Sequence, residues 1–504
     1  MKKSISILAA LLLLATGAAK AQYNETNNLF YFAHRSPQSN QLNPAFFPSA
    51  FYLSLPGVTS MQLGLPLSIG DIVTYDSTQE ANIIDLNRML DNLGESNQFR
   101  FGFDMNALGF GMKIGPVFVD ANIQLRSYFN LGIPVSVINT VLKGNVNDDG
   151  TAIPEVTLLD GDLFNMQMYA EASIGAGMKI PLTGLTVGAH VKLLSGLVNM
   201  QTDNTKVTFE TEEDYETVRA RVYYEIMGSS VVPIDTTKEL NEMFKGLDVR
   251  DMALSLIDLS GGNTGIAFDL GARYDLGIFS FSAALNDLSA GIHWQKNVVS
   301  LVPKNGQGTI EFDGMDINNL LDHGTINADS LKMYLQDQLN GMAPTFKVDS
   351  ADYWYCVPTK LNLGASVNLG LLKAGILFHG QWDRGLLSKN TYSSLSEAVG
   401  DAQANYNEVK NTFRFNTTLS ASVNLFNWFE LIVGSSMVYD GHSKITLDNF
   451  LNPGVGIIFT PATLVQAYVM MDYASSMYLT QMKAFNFKLG FNMLIGKNSS
   501  TRIL

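Results

Sequence analysis

Between Thr359 and Trp382 apolar and polar side chains alternate along two successive arms. Leu361, Leu363, Ala365, Val367 and Leu369 occupy one set of positions, and Lys360, Asn362, Gly364, Ser366 and Asn368 the other. Past Gly370 the apolar set resumes with Leu372, Ala374, Ile376 and Phe378, opposite a set that includes Lys373, Gly375 and His379. Strand side chains point alternately to opposite faces, so the stretch is a hairpin with one apolar and one polar face. Each arm is roughly ten to twelve residues, against ~5–6 for an ordinary soluble strand and ~9–11 for a tilted strand that crosses a bilayer. Small and polar residues on the second face suit a barrel lumen that is wet or plugged.

The pattern recurs at 51–67, 99–114, 117–128, 166–180, 185–199, 264–276, 278–287, 358–370, 371–382, 413–426, 428–440, 453–460, 463–473 and 484–496. Connections alternate between very short ones, such as Gly115-Pro116 and Gly370, and long ones, such as 68–98 and 288–357. Outer-membrane barrels have an even strand number, short periplasmic turns and long outer loops. The expectation is an all-β, transmembrane antiparallel β-barrel of about 14 strands over residues 51–496. Both termini then lie on the periplasmic side. The 200–263 connection has room for one more hairpin around Val218 to Ile226. A soluble β-sandwich also alternates, but with shorter strands and without two classes of turn length. The final segment is the most regular, with Phe485, Phe487, Leu489, Phe491, Met493 and Ile495 on one face. It departs from many such barrels, which end on an aromatic residue, in adding a tail over 497–504.

Composition agrees. Charged residues make up 16% of the 504, well below the usual ~25%, and no run of eighteen apolar residues follows the N-terminus, so no membrane helix is expected. Residues 1–21 read as a secretory signal, with Lys2 and Lys3, an apolar core from Ile5 to Ala15, and a cleavage motif Ala19-Lys20-Ala21. Removing Lys2, Lys3 and Lys20 takes the 33 basic residues to 30 against 47 acidic ones, a charge of −17. That balance argues against nucleic acid as a partner. The lone Cys356 makes neither an internal disulfide nor a metal site. Residues 22–50 do not alternate, and Pro37, Pro44 and Pro48 prevent a continuous ladder. Two readings fit them: a periplasmic leader, or a plug folded into the barrel mouth, since Phe46 and Phe47 need burial.

No sequence signature of catalysis is present, neither G-x-S-x-G, H-E-x-x-H, a Walker loop nor a strand-to-helix G-x-G-x-x-G, so no enzyme and no cofactor are expected. The six histidines are scattered, and His442-Ser443 falls in a loop tip. Asn145 to Gly150 resembles the first half of a calcium loop, but the twelfth position is Val156, and a plain Asn/Asp/Gly turn is the better reading. Acidic residues crowd 200–263, as on a solvated outer surface. Thr237 to Leu247, Asp329 to Leu339 and Leu395 to Val409 read as short loop helices. Arg100, Asp120, Arg126, Lys192, Asp269, Arg273, Lys360, Arg414 and Lys488 fall on polar strand faces, where they either pair with one another and with a plug or rim a ligand path.

Leu42-Asn43-Pro44-Ala45 resembles the Asn-Pro-Ala element near the start of FadL-type fatty-acid transporter barrels and their PorV-like relatives. Ala283-Ala284-Leu285-Asn286-Asp287-Leu288 resembles a strand-end feature of the same superfamily. The signal, the stretch leading into Phe46-Phe47-Pro48 and the overall plan are similar to an uncharacterised family of Bacteroidota outer-membrane proteins. The resemblance implies a fourteen-strand barrel among outer-membrane lipids, with the N-terminal segment in the lumen. Two functions follow as expectations. One is passive transport of a hydrophobic or amphipathic small molecule, gated around Asn43, Pro44, Phe46 and Phe47, with Arg126 or Arg273 meeting a carboxylate. The other is a non-transporting scaffold, a partner of a secretion apparatus or of surface proteins. A continuous apolar cavity favours the first, and a lumen filled by plug and paired charges the second.

Overall fold

A computed structural model describes residues 28–48, 51–76, 81–93, 96–136, 155–160, 164–211, 218–231, 262–289, 291–303, 308–312, 321–322, 325–326, 344–347, 352–355, 357–382, 413–425, 428–438, 452–462, 465–474 and 479–495. The signal at 1–21, the Asn145 to Gly150 turn, the three loop helices, Cys356, His442-Ser443 and the 497–504 tail lie outside the described residues.

Fourteen antiparallel strands close on themselves. They are β1 (Phe51–Ser54 and Gly57–Gly64), β2 (Ser96–Ile114), β3 (Val117–Pro134), β4 (Phe164–Lys179) and β5 (Leu185–Thr211). Next come β6 (Thr264–Leu276), β7 (Phe279–Ser289), β8 (Thr359–Asn368), β9 (Leu372–Trp382) and β10 (Phe413–Leu425). β11 (Phe429–Val438), β12 (Asn452–Ala462), β13 (Val465–Ala474) and β14 (Ala484–Ile495) complete the wall. Each strand pairs with the next, and β14 returns to β1 with Tyr52 opposite Leu494 and Gln62 opposite Asn486. The strands fall where alternation places them. β1 is the exception in continuity: it breaks at Leu55-Pro56, where Pro56 has no N–H to give a ladder. The Leu55 amide still donates to the Phe491 carbonyl at 3.0 Å, so the pairing with β14 survives.

Burial is inverted relative to a soluble sheet. Along β14, Phe491, Met493 and Ile495 are exposed, while Asn486, Lys488 and Asn492 are buried. Elsewhere in the wall, on β10 and β11, Leu419 is 47% exposed, whereas Asn416 and Glu430 are fully buried. The apolar faces therefore point outward all round and the polar faces line the lumen. At one end the connections are tight. Gly115 turns β2 into β3 at a φ of 61°, a conformation that costs glycine least, with nothing near the missing side chain.

At the opposite end the wall grows taller than its alternation suggests. β5 runs on to Thr211 and pairs there with Val218–Ser230 and with Glu155–Asp160. A strand does exist around Val218 to Ile226, but it extends this rim and adds nothing to the barrel count. Within 288–357, which alternation leaves as a loop, Ile292–Trp294 folds inward. Ile292 and Trp294 pack on Tyr169, Leu194 and Ala267, with the Trp294 ring lying over Gly196. Between β1 and β2 the short helix α1 (Ile69–Ile72) is closed by a Ser68/Asp71 capping box. Partial burial raises the Asp71 carboxyl, but the Ser68 amide and hydroxyl and the Lys483 ammonium 2.9 Å away outweigh it and hold it below the usual carboxylate range.

Leu419→Arg on the outward face of β10 is expected to cost about 2–4 kcal/mol of barrel stability if the face meets hydrocarbon. Loss of heat-modifiable migration on gels reads it. Normal assembly of that variant contradicts the facing.

Candidate functional site

Residues 28–48 lie inside the barrel and are fastened to strand after strand. Near the long-connection end, Asn28 donates to Asn416 of β10 at 2.6 Å, and the Leu29 and Phe30 amides both donate to Asp472 of β13. Tyr31 donates its hydroxyl to Ser282 of β7 at 3.0 Å. Further down, Gln466 of β13 donates to the Arg35 carbonyl at 2.9 Å, and Gln38 bonds both Ser54 of β1 and Asn492 of β14. Asn286 and Asn362 give their amide hydrogens to the Gln41 and Leu42 carbonyls at 3.1 and 3.2 Å. Tight turns pair many of the segment's backbone groups internally, and wall side chains take others: the Leu29 and Phe30 amides and the Arg35, Gln41 and Leu42 carbonyls.

Asn43 explains why asparagine precedes proline here. Its Oδ1 accepts the Ala45 amide at 2.9 Å, while its Nδ2 reaches the Ala272 and Ala283 carbonyls of β6 and β7 at 3.4 and 3.3 Å. One side chain thus bends the plug and ties it to the wall. The wall must come very close for this. A Cβ on Gly271 would lie 2.2 Å from Asn43 Oδ1, and one on Gly188 would lie 2.1 Å from the Pro44 carbonyl. Phe46 packs edge-on to Tyr31 with ring centres 4.9 Å apart, and Phe47 stacks on Phe118 of β3 at 5.0 Å. Both rings are spent on plug and wall.

Above the plug, on the β3 to β8 side, sits a buried ionic network. Lys192 contacts Asp287 at 2.6 Å, Asp269 at 2.9 Å and Glu171 at 3.3 Å. Arg126 meets Glu171 at 3.0 Å and Asp287 at 3.2 Å, and Lys360 lies 3.6 Å from Asp287. His190 bridges Asp120 and Asp269, each at 3.3 Å. No group of three or more side chains among the described residues is arranged to hold a metal ion. Between this network and the plug a small chamber remains, lined by Gln38, Gln41 and Leu42 from the plug and by Gln124, Arg126 and Lys360 among the wall residues.

A model of DUF5723, described as a family of unknown function, matches residues 44–472. The chain belongs to that family. No curated protein matches the sequence. Among solved structures this DUF5723 chain is similar to the toluene transporter TbuX of Ralstonia pickettii, at 11% identity and a TM-score of 0.43, over 92% of this chain and 94% of that one. It is similar to the toluene transporter TodX of P. putida at 12% identity and a TM-score of 0.39, over 95% of each chain. A Pseudomonas aeruginosa FadL homologue shares 9% identity at a TM-score of 0.39, over 95% of this chain and 97% of that one.

The charges singled out from alternation separate in this DUF5723 barrel. Asp120, Arg126, Lys192, Asp269 and Lys360 converge on the one network. Arg273 sits apart, near the short-turn end, bonded to Asp275 at 2.8 Å and to Ser280 at 3.0 Å. Arg100 is buried on β2. Lys488 lies 3.6 Å from Asp472, beneath the start of the plug. Arg414 stands opposite Gln381 in the ladder, and its side chain lies outside the described residues. Alternation passes over Glu171 and Asp472, although their parity places them inward. Parity counted along β7 would put Asp287 on the outward face with Leu285, whereas it is buried. A register shift between Phe268 and Leu270 faces Asn286-Asp287, and Asp287 adopts a φ of 57°, so both neighbours turn inward. The available signal was a lone carboxylate on an apolar face beside Asn, a residue pair prone to left-handed backbone.

Lys192→Met leaves Glu171, Asp269 and Asp287 short of their shared cation and is expected to destabilise the barrel by about 3–5 kcal/mol in denaturant titration. Gly188→Val drives a side chain into the plug backbone. Trypsin is then expected to cut at Arg35 in a barrel that still shifts with heat, while the parent protein resists.

Proposed function

We propose that the chain is an outer-membrane channel for a small hydrophobic or amphipathic molecule, and that residues 28–48 are its gate. The observation that carries this reading is how the lumen is obstructed. The plug belongs to no ladder: its links to the wall are side-chain hydrogen bonds, ring contacts and fitted glycines. Each neutral hydrogen bond is worth only about 0.5–1.5 kcal/mol net, so a local rearrangement of the plug costs far less than opening a barrel strand. The outward apolar faces support placement in a bilayer, with the tight turns on the periplasmic side and the tall rim outside. The solved structures to which the chain is similar include two called toluene transporters. Here that class of cargo is part of the proposal, which stands on the geometry of the plug.

A second reading has its own observation. The lumen holds plug, paired charges and the Ile292/Trp294 cap, which also suits a sealed scaffold acting through its rim. Cross-linking the plug to the wall separates the two. With Cys356→Ser removing the native thiol, Gln38→Cys and Asn492→Cys are joined by a short bismaleimide, and uptake of a labelled aromatic hydrocarbon into liposomes is followed. A gated channel loses uptake on linking and keeps it in the unlinked double variant. Equal uptake in both states rules out this segment as the gate. No uptake in either state or in the parent protein favours the scaffold.

A further inference from the structure

Directly above the ionic network, toward the long-connection end, the lumen turns apolar. Tyr169, Leu194 and Ala267 each stand two residues beyond a member of the network: Glu171 on β4, Lys192 on β5 and Asp269 on β6. Strand side chains two apart share a face, so the three form one inward layer that roofs the charges. All three are buried beneath Ile292 and Trp294 of the cap, with Val298, Tyr353 and Val357 completing the cluster. An apolar layer inside a polar lumen needs an apolar occupant, and here the chain supplies its own.

Trp294 fits this layer in shape but not in chemistry. Its ring lies so close over Gly196 of β5 that a Cβ there would stand 2.6 Å from the nearest ring carbon. Yet the side chain is wholly buried, and its Nε1–H has no acceptor among the described residues. A buried N–H without an acceptor carries its desolvation cost. A flat ring of the same size without that donor fills the slot free of it. The cap finger also has marked ends. Gly291 at a φ of 105° and Asn297 at a φ of 48° bracket residues 292–296, in the left-handed region that glycine and asparagine adopt most readily. The register of the finger with β6 is short, Thr264 facing His293, and Asn263 Oδ1 accepts the Gln295 and Lys296 amides at 2.9 Å each.

We propose that this apolar layer is a resting site for a flat aromatic hydrocarbon, and that Trp294 is its tethered stand-in, so that cap and solute exclude one another. The proposal rests on the channel reading for its place in transport, but the competition is tested apart from it. Residues 291–297 swing out as the solute seats over Gly196 against Tyr169 and Leu194, and the ring that arrives brings no N–H to be left without an acceptor.

The test titrates fluoronaphthalene and fluoroindole into the full barrel in detergent micelles, followed by fluorine NMR and corrected against micelles alone. Fluoronaphthalene is expected to bind the parent protein saturably. Trp294→Ala is expected to bind it about tenfold more tightly or better, since the closed fraction that lowers the apparent affinity is gone. Fluoroindole is expected to bind that variant about three- to tenfold more weakly than fluoronaphthalene, the worth of one hydrogen bond. In a Cys356→Ser background, Thr264→Cys and His293→Cys place thiols on facing partners, whose Cα atoms lie ~4.5–5.5 Å apart, within reach of a disulfide. Oxidation is expected to abolish binding and reduction to restore it in the same molecules, which separates competition from misfolding. Equal binding by the oxidised and reduced forms overturns the proposal. So does Trp294→Ala binding no tighter than the parent, or no tighter than Trp294→Ala with Gly196→Val, in which the slot is filled. Fluoroindole binding as tightly as fluoronaphthalene overturns the assignment of a hydrocarbon. Binding absent from every form also overturns the site and leaves Trp294 as a packing residue. Uptake into liposomes is measured alongside: uptake indifferent to the cap disulfide retains the channel and rejects the cap, and disulfide-sensitive binding without uptake does the reverse.

Discussion

An apolar outer face gives the backbone no outside partner for its N–H and C=O groups, so the strands must satisfy one another completely, and a ring of strands is the arrangement that does so. The 14 strands close from β1 round to β14 with no edge left over in the wall. That closure turns the usual protein inside out. Leu419 and Ile266 face outward, while Asn416, Glu430 and Lys488 are buried. Once polar side chains have been sent inward, each needs a partner there. The plug meets much of that demand: Asn286, Asn362, Gln466 and Asn492 all find acceptors on residues 28–48 or through them.

The ionic network solves the same problem on the other side of the lumen. Burying Lys192 alone would be prohibitive, and three carboxylates within 3.3 Å compensate it. Asp287 is central because it touches Arg126, Lys192 and Lys360, and its amide donates to Asp269 at 2.8 Å. It reaches that position only through the bulge in β7. The strand gives up one regular pair there and gains a carboxylate that gathers cations from β3, β5 and β8.

Strand number, facing and the two classes of connection were legible in the sequence because they depend on a local period of two. Leu361 to Leu369 and Phe485 to Ile495 each declare their outward face without help from distant residues. Asp287 was not legible, since a bulge moves parity by one and leaves little local trace. Nor was the inward fold of Ile292 and Trp294, whose apolar partners Tyr169, Leu194 and Ala267 come from three other strands. Residues 28–48 were readable as irregular, because Pro37, Pro44 and Pro48 break any ladder there. Their path was not, because it is set by where wall glycines such as Gly188 and Gly271 leave room. The proposed gate role rests on that room, which is a property of the assembled lumen.

Gln38 bonds Ser54 on β1 and Asn492 on β14, the two strands whose meeting closes the circle. Those strands are also the most distant in sequence among wall neighbours, with Tyr52 facing Leu494. Bringing such ends together carries the largest loop-closure entropy of any pairing in the wall. A side chain that holds both strands adds a link at the pairing where that cost is greatest. The N-terminal segment therefore fastens the seam of the cylinder as well as filling its lumen.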